Sequence, residues 1–561
     1  MTQGAAARRA AMPSAAGGAP GSLAATPTGA GCGRRVLAAY LALLAVALIP
    51  LLLVELPPLN DYPSNLARAY ILLEHARSAW LQTYYVPMLK LQPNLAMDLG
   101  VMALGRVLPI EVAGKVFTGL TIALLSGGPV VLHRVIHGRW SLWPCAAFLF
   151  VYNRLFLWGF LGFLLALGLM FFVFAGYVYL RERVGVLGRA LASAAGAFVV
   201  MVAHLFVLGV LGLIVGGWEI HRQYVRWRAG QGWSVGEILA ACLPLLVPVV
   251  AFMLASPTTS AAGVIGWGSF FQRLEALYYV IGNYSMPFDA LCLAALGALA
   301  VWLLGRRLLR VHGGIAVAVG LLAAVQLVMP EILFGSGYGD RRLPLVIVLL
   351  AVAGSSWTDR ASAALRRMVL GGLAAIFVIR MGVIGGVWLH ADRVYATWLA
   401  AIDRLPAGAR LLHLRFDTKY LVPVPLDHID SMAIIRRQAF TTKLFAHPLH
   451  RAHPVAYAEP YAELHRLTPQ PGTTAPTYNA MMERAYYRDL FGEEYQDCYE
   501  YVIVSAPPGF VIDPGPGFAP VDRGTGFAVY ATRTRGQSFD RCWLVHRPDA
   551  KSFASRHTYG W

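Results

Sequence analysis

Eleven apolar runs succeed one another along the chain, near residues 36–54, 112–132, 141–157, 160–180, 188–203, 204–220, 236–255, 288–304, 312–330, 343–357 and 367–389. Most are close to the ~20 residues that cross a bilayer as a helix, so the chain is expected to fold as an α-helical polytopic membrane protein. Composition agrees: 57% of the 561 residues are hydrophobic, 14% are charged and the mean hydropathy is +0.56. No small-residue cleavage site follows the first run, VLAAYLALLAVALIPLLLV, which predicts a retained helix rather than a signal peptide. Residues 1–34, rich in Ala, Gly, Ser and Pro, are expected to form a disordered cytoplasmic tail.

The net charge of +17 does not describe a nucleic-acid groove, because the basic residues fall in short clusters between apolar runs. With the N-terminus inside, Arg34/Arg35, His133-Arg134-His137-Arg139, Arg181-Arg183-Arg189, Arg222-Arg226-Arg228, Arg306-Arg307-Arg310 and Arg360-Arg366-Arg367 all fall on the cytoplasmic side. The segment 94–108, short and carrying Asp98 and Arg106, is then expected to lie in the interface. This gives a transmembrane domain over 35–390, with outer loops at 55–111, 256–287 and 330–342. Residues 391–561 follow as an extracytoplasmic α/β or α+β domain, whose runs ARLLHLRF, YEYVIVSAP and GFAVYATRT read as strands. Cys498 and Cys542 both fall in that domain; spacing alone does not decide whether they pair.

The first outer loop opens with LPPLNDYPSNLARAY, which sets Asp61 just beyond the first span and two residues before Pro63. Pro63 suits the first turn of a helix, and Leu66, Ala69, Tyr70, Leu73, Ala76 and Trp80 recur at helical spacing. An amphipathic helix over 64–80 resting on the bilayer is expected, with Arg68 on another face. Asp61 reads equally as a cap for that helix and as a functional carboxylate.

LNDYP in the first outer loop, the later segment MPEILFGSGYGDRRLP, two short helices in one outer loop and a C-terminal outer domain together form a pattern. In it the chain resembles the C-type glycosyltransferase superfamily (GT-C), membrane enzymes that take a sugar from a polyprenyl-phosphate carrier. The resemblance implies that Asp61 is the functional carboxylate, acting as base for the acceptor in an inverting transfer. Many members carry a second acid between the third and fourth spans. Here Asn153 and Arg154 stand near that position, and a carboxamide can orient a hydroxyl but cannot take its proton. No metal ligand is assigned; a divalent cation stays an open alternative.

A departing phosphate needs positive charge, and Arg341 and Arg342, just before the tenth apolar run, sit at headgroup depth. They read otherwise as interfacial anchors, with Asp340 neutralising one of them. His204 interrupts a long apolar stretch at an outer turn and faces either a cavity or packed protein. Arg68, His204, Asn153, Arg154 and Asp340 complete the substrate-binding candidates with the two arginines. No nucleotide-binding, zinc-protease or paired CxxC motif occurs. The expected partners are membrane lipids, a polyprenyl-phosphate-linked sugar and an acceptor glycan, lipid or protein, in a bacterial inner membrane. The alternative is a transporter or lipid flippase without chemistry; such proteins place charges at the midplane in repeated halves, and no internal repeat is visible here.

Overall fold

The computed structural model describes residues 27–255, 265–333, 337–415, 424–446, 453–467, 497–505, 517–524, 526–539 and 542. The expected tail falls largely outside them, as do most of the loop PPGFVIDPGPG, residues 256–264 of the second outer loop and residues 334–336 of the third.

Among the described residues eight helices are long and apolar enough to cross a membrane. They are α1 (Pro27–Leu53), α4 (Ile110–His137), α5 (Leu161–Leu180), α6 (Val186–Ala203), α7 (Leu205–Arg228), α8 (Val235–Ala255), α10 (Met286–Gly305) and α13 (Ala363–Asp403). Short helices stand between them: α2 (Tyr62–Glu74), α3 (Ala96–Gly105), α9 (Phe270–Tyr279), α11 (Gly313–Leu327) and α12 (Leu343–Gly354). The chain is an integral membrane protein of helical architecture with a C-terminal sheet domain.

Three of the eleven expected spans differ from long helices. Two are the short α11 and α12. The third, expected at 141–157, is a 3-10 helix over Trp143–Phe150 followed by a single turn at Arg154–Leu157. At ~2.0 Å per residue a 3-10 segment covers more distance than an α-helix of the same length. Its irregular backbone is tolerated because every one of its eight residues is buried in protein rather than facing lipid.

α4 and α5 form the buried centre, while α8 and α10 lie at the periphery. The two central helices cross on glycine. A Cβ on Gly168 would stand 2.7 Å from the Leu124 carbonyl carbon, and one on Gly128 would stand 2.6 Å from Phe171 Cβ. Small residues of this kind let helix backbones approach inside a bilayer. α10 and α13 are tied by a buried ion pair, Arg380 Nη1 to Asp289 Oδ1 at 2.5 Å, with the guanidinium also donating to the carbonyls of Ile281 and Tyr152. α13 continues past residue 390 to Asp403, long enough to leave the bilayer and carry the first strand of the next domain.

That domain holds a five-stranded sheet of β1 (Arg410–Arg415), β2 (Phe440–Thr441), β3 (Tyr501–Ser505), β4 (Phe518–Gly524) and β5 (Phe527–Thr532), in the order β4-β5-β3-β1-β2. β1 runs parallel to β2 and β3, and β4-β5-β3 are antiparallel. β3 is buried at all five positions, as an apolar central strand should be. Cys498 and Cys542 are disulfide-bonded.

The domain closes over the end of the bundle where the 55–111 loop emerges. Arg436 contacts Glu55, Glu111 and Asp403, which belong to the segment after α1, the start of α4 and the end of α13. Tyr85–Pro87 pairs antiparallel with Val455–Tyr457. This roof corrects the expected bilayer-resting helix over 64–80. α2 ends at Glu74, and eight of its residues, Arg68 included, are buried against α3, α4 and the roof. α3 has ten residues, about half the length needed to span.

Candidate active site

Asp61 occupies the residue before α2 but makes no side-chain cap bond to that helix. Its backbone is held instead by the turn that ends the 3-10 crossing: Asn60 N–H donates to the Leu157 carbonyl and Asp61 N–H to the Trp158 carbonyl, both at 3.0 Å. Gly159, at φ +86°, makes this contact sterically possible, since a Cβ there would lie 2.9 Å from Asp61 N and 3.1 Å from Asp61 Cβ. The carboxylate, 16% exposed, accepts from Asn60 Nδ2 at 2.9 Å and faces His428 Nε2 at 4.0 Å.

The same turn holds both arginines. Arg341 lies over the rings of Trp158, Tyr279 and Tyr338, and Arg342 over Phe160, Phe163 and Phe206. Arg341 is paired with Glu331 at 3.5 Å, not with Asp340. Arg342 donates to the Gly337 carbonyl at 3.2 Å and has no carboxylate within ion-pair distance among the described residues. Burial pulls its guanidinium down to about 10, with Asp61 opposing, so the group stays cationic at neutral pH beside that carboxylate. Both Asp340 carboxylate oxygens are buried without a hydrogen bond among the described residues; burial raises that carboxyl, partly opposed by Arg341. His204 sits at the turn between α6 and α7 with its ring edge on Phe163. Burial, reinforced by the Arg342 charge, holds it well below the ordinary imidazole range and therefore neutral.

No protein-family profile matches the chain, and no curated protein sequence does. Among solved structures the chain is similar to ArnT from Cupriavidus metallidurans in the apo state, at 14% identity and a TM-score of 0.46, over 91% of this chain and 100% of that one. A likeness at that level does not extend to side chains or chemistry.

The remaining sequence candidates have structural partners. Arg68 makes a two-pronged ion pair with Asp98, 2.6 Å from Nε to Oδ1 and 2.8 Å from Nη2 to Oδ2, and reaches His453 at 3.3 Å. Asn153 caps the turn Arg154–Leu157, accepting from Phe156 N–H while its amide donates to the carbonyls of Phe150 and Val151. Arg154 lies beside Tyr278, Tyr279 and Tyr284. Among the described residues no three His, Cys, Asp or Glu side chains converge so as to hold a metal ion.

His428 is the site residue that sequence reasoning missed. It stands 367 positions after Asp61 in the segment DHID, where no local pattern distinguishes it from any loop histidine.

Proposed function

We propose that the protein is an inverting glycosyltransferase that moves a sugar from a polyprenyl-phosphate donor to an acceptor hydroxyl. What carries this reading is one turn, Leu157–Phe160, that mounts an acid and a cation together: Asp61 on the Trp158 carbonyl and Arg342 on the Phe160 ring. Asp61 takes the proton from the acceptor hydroxyl, whose oxygen attacks the anomeric carbon from the face opposite the phosphate. The bond from that carbon to the phosphate oxygen breaks, and its electron pair leaves with the lipid phosphate. Arg342, a planar donor with no carboxylate within ion-pair distance among the described residues, is placed to receive that charge.

The site belongs to the outer face of a bacterial inner membrane, with the N-terminus cytoplasmic and the sheet domain outside. Two observations support this sidedness. The basic clusters fall at the opposite end of the bundle, and the disulfide lies in the sheet domain, as an oxidising compartment permits. Cysteines placed at exposed Leu91 and Val521 should react with an impermeant thiol reagent in intact cells, and one at Trp227 should not.

The activity test is reconstitution in vesicles with radiolabelled polyprenyl-phosphate mannose, glucose and arabinose and an envelope extract as acceptor. Asp61→Asn should lower kcat by at least ~10²-fold with the lipid donor still bound. Equal turnover by both proteins removes Asp61 as base. The buried Arg380–Asp289 pair inside the bundle favours a second reading, a lipid flippase. Lipid flipping without sugar transfer would select it.

A further inference from the structure

The roof brings a second proton acceptor to Asp61. The Phe445 N–H donates to Ser64 Oγ at 2.9 Å, fixing the segment before residue 447 against the first turn of α2. The His428 ring packs on Phe445 with centroids 4.6 Å apart, and its Nδ1 lies 2.8 Å from the Lys443 carbonyl oxygen. A carbonyl only accepts, so Nδ1 carries the proton of the neutral ring and Nε2 presents a lone pair. That lone pair faces Asp61 Oδ1 at 4.0 Å, and both groups are only 16% exposed. Two acceptors facing each other in a covered site, too far apart for a direct bond, form a place where an incoming proton would be shared. Among the described residues, Asp430 and Lys443 also act on the ring electrostatically. Asp430 is engaged by His413 at 3.3 Å, and Lys443 Nζ lies 3.5 Å from the same histidine.

We propose that His428 is the terminal proton acceptor of the transfer, drawing the acceptor hydroxyl's proton through Asp61 onto Nε2. The inference rests on the reading of Asp61 as base. The acceptor O–H bond breaks as its oxygen bonds to the anomeric carbon. The two side chains close from 4.0 Å to hydrogen-bonding distance, the proton passes from Asp61 Oδ1 to Nε2, and the electron pair of the broken carbon–oxygen bond leaves on the lipid phosphate. The imidazolium then donates from Nε2 to the regenerated Asp61 carboxylate and from Nδ1 to the Lys443 carbonyl, and it sheds its proton to water when the phosphate departs. An imidazole suits this role because its ordinary value of ~6.5 lies above the ~3.9 of a carboxylate, and the imidazolium, once formed, faces the Asp61 carboxylate, whose negative charge favours it. Burial keeps the His428 ring below that value, with Asp61 and Asp430 opposing, so the resting ring is unprotonated and able to accept.

The test uses the full-length protein in vesicles with the same three radiolabelled donors and envelope extract, with kcat/KM measured across pH for wild type, Asp61→Asn, His428→Ala and His428→Gln. His428→Ala and His428→Gln should each lose about 10²-fold in kcat/KM and lose the wild-type acid limb, with melting temperatures near wild type. Added imidazole should restore His428→Ala at least tenfold and leave Asp61→Asn unchanged. Either histidine variant retaining wild-type kcat/KM and acid limb overturns the proposal while leaving the transferase reading intact. Failure of imidazole to restore a folded His428→Ala also overturns it. Absence of turnover by wild type with every donor overturns the transferase reading and this proposal with it.

Discussion

Gly159 shows how one residue without a side chain sets the site. Its positive φ and its approach to Asp61 leave no room for a Cβ. Gly159→Ala should therefore displace the carboxylate, with strain of ~1–3 kcal/mol at the turn and a fall in kcat larger than the fall in thermal stability implies. Wild-type kcat in that variant would mean that the turn does not position Asp61. The arginines make a paired comparison. Arg341 already has Glu331, so Arg341→Ala should change the KM for lipid donor little, while Arg342→Ala should raise it by ~10-fold or more, read from donor titration in vesicles. The reverse order would move the phosphate to Arg341. Asp61 and the two arginines stand out in the sequence because each is a charge at a membrane edge. His428 does not, because its meaning comes from a contact with a residue hundreds of positions away.

At the scale of elements, apolar run length finds most of the spans, since a bilayer demands ~20 residues of helix. It fails where rise per residue changes, as in Trp143–Phe150, and where the apolar run folds as a shorter helix, as in α11 and α12. The amphipathic spacing over 64–80 could not reveal that a distant domain covers the second face. The Arg68–Asp98 pair that joins α2 to α3 is a consequence of that covering, with side chains 6% and 0% exposed. Removing one partner, as in Arg68→Ala or Asp98→Ala, strands a buried charge and should cost ~3–5 kcal/mol, measured by thermal unfolding in detergent. Arg68→Met combined with Asp98→Leu should recover much of that loss; if the double variant is no better than either single one, the pair is more than a structural link.

For the whole molecule, the coupling between roof and bundle should depend on pH in one direction. Burial holds His428 below its unfolded value, so between that native value and ~6.5 the unfolded chain binds a proton that the folded one does not. Stability therefore falls as pH drops through ~6.5. Burial raises Asp430, but the hydrogen bond from His413 and the nearby positive charges outweigh it and hold the carboxyl low. Its contribution is present above ~3.9 and lost as pH falls further. Melting curves between pH 7.5 and 5 should shift steadily downward, and His428→Gln should lessen that trend by its share, the buried His204 contributing in the same direction; a melting temperature that rises toward acid would refute the assignment.

The tightly wound segment Trp143–Phe150 sets a length that an ordinary helix would not reach. Relaxing its eight residues from 3-10 to α geometry would shorten it by ~4 Å, at about 0.5 Å of rise per residue. The turn that cradles Asp61 is attached to its far end, so this winding sets the height at which the acid stands beneath the histidine of the roof.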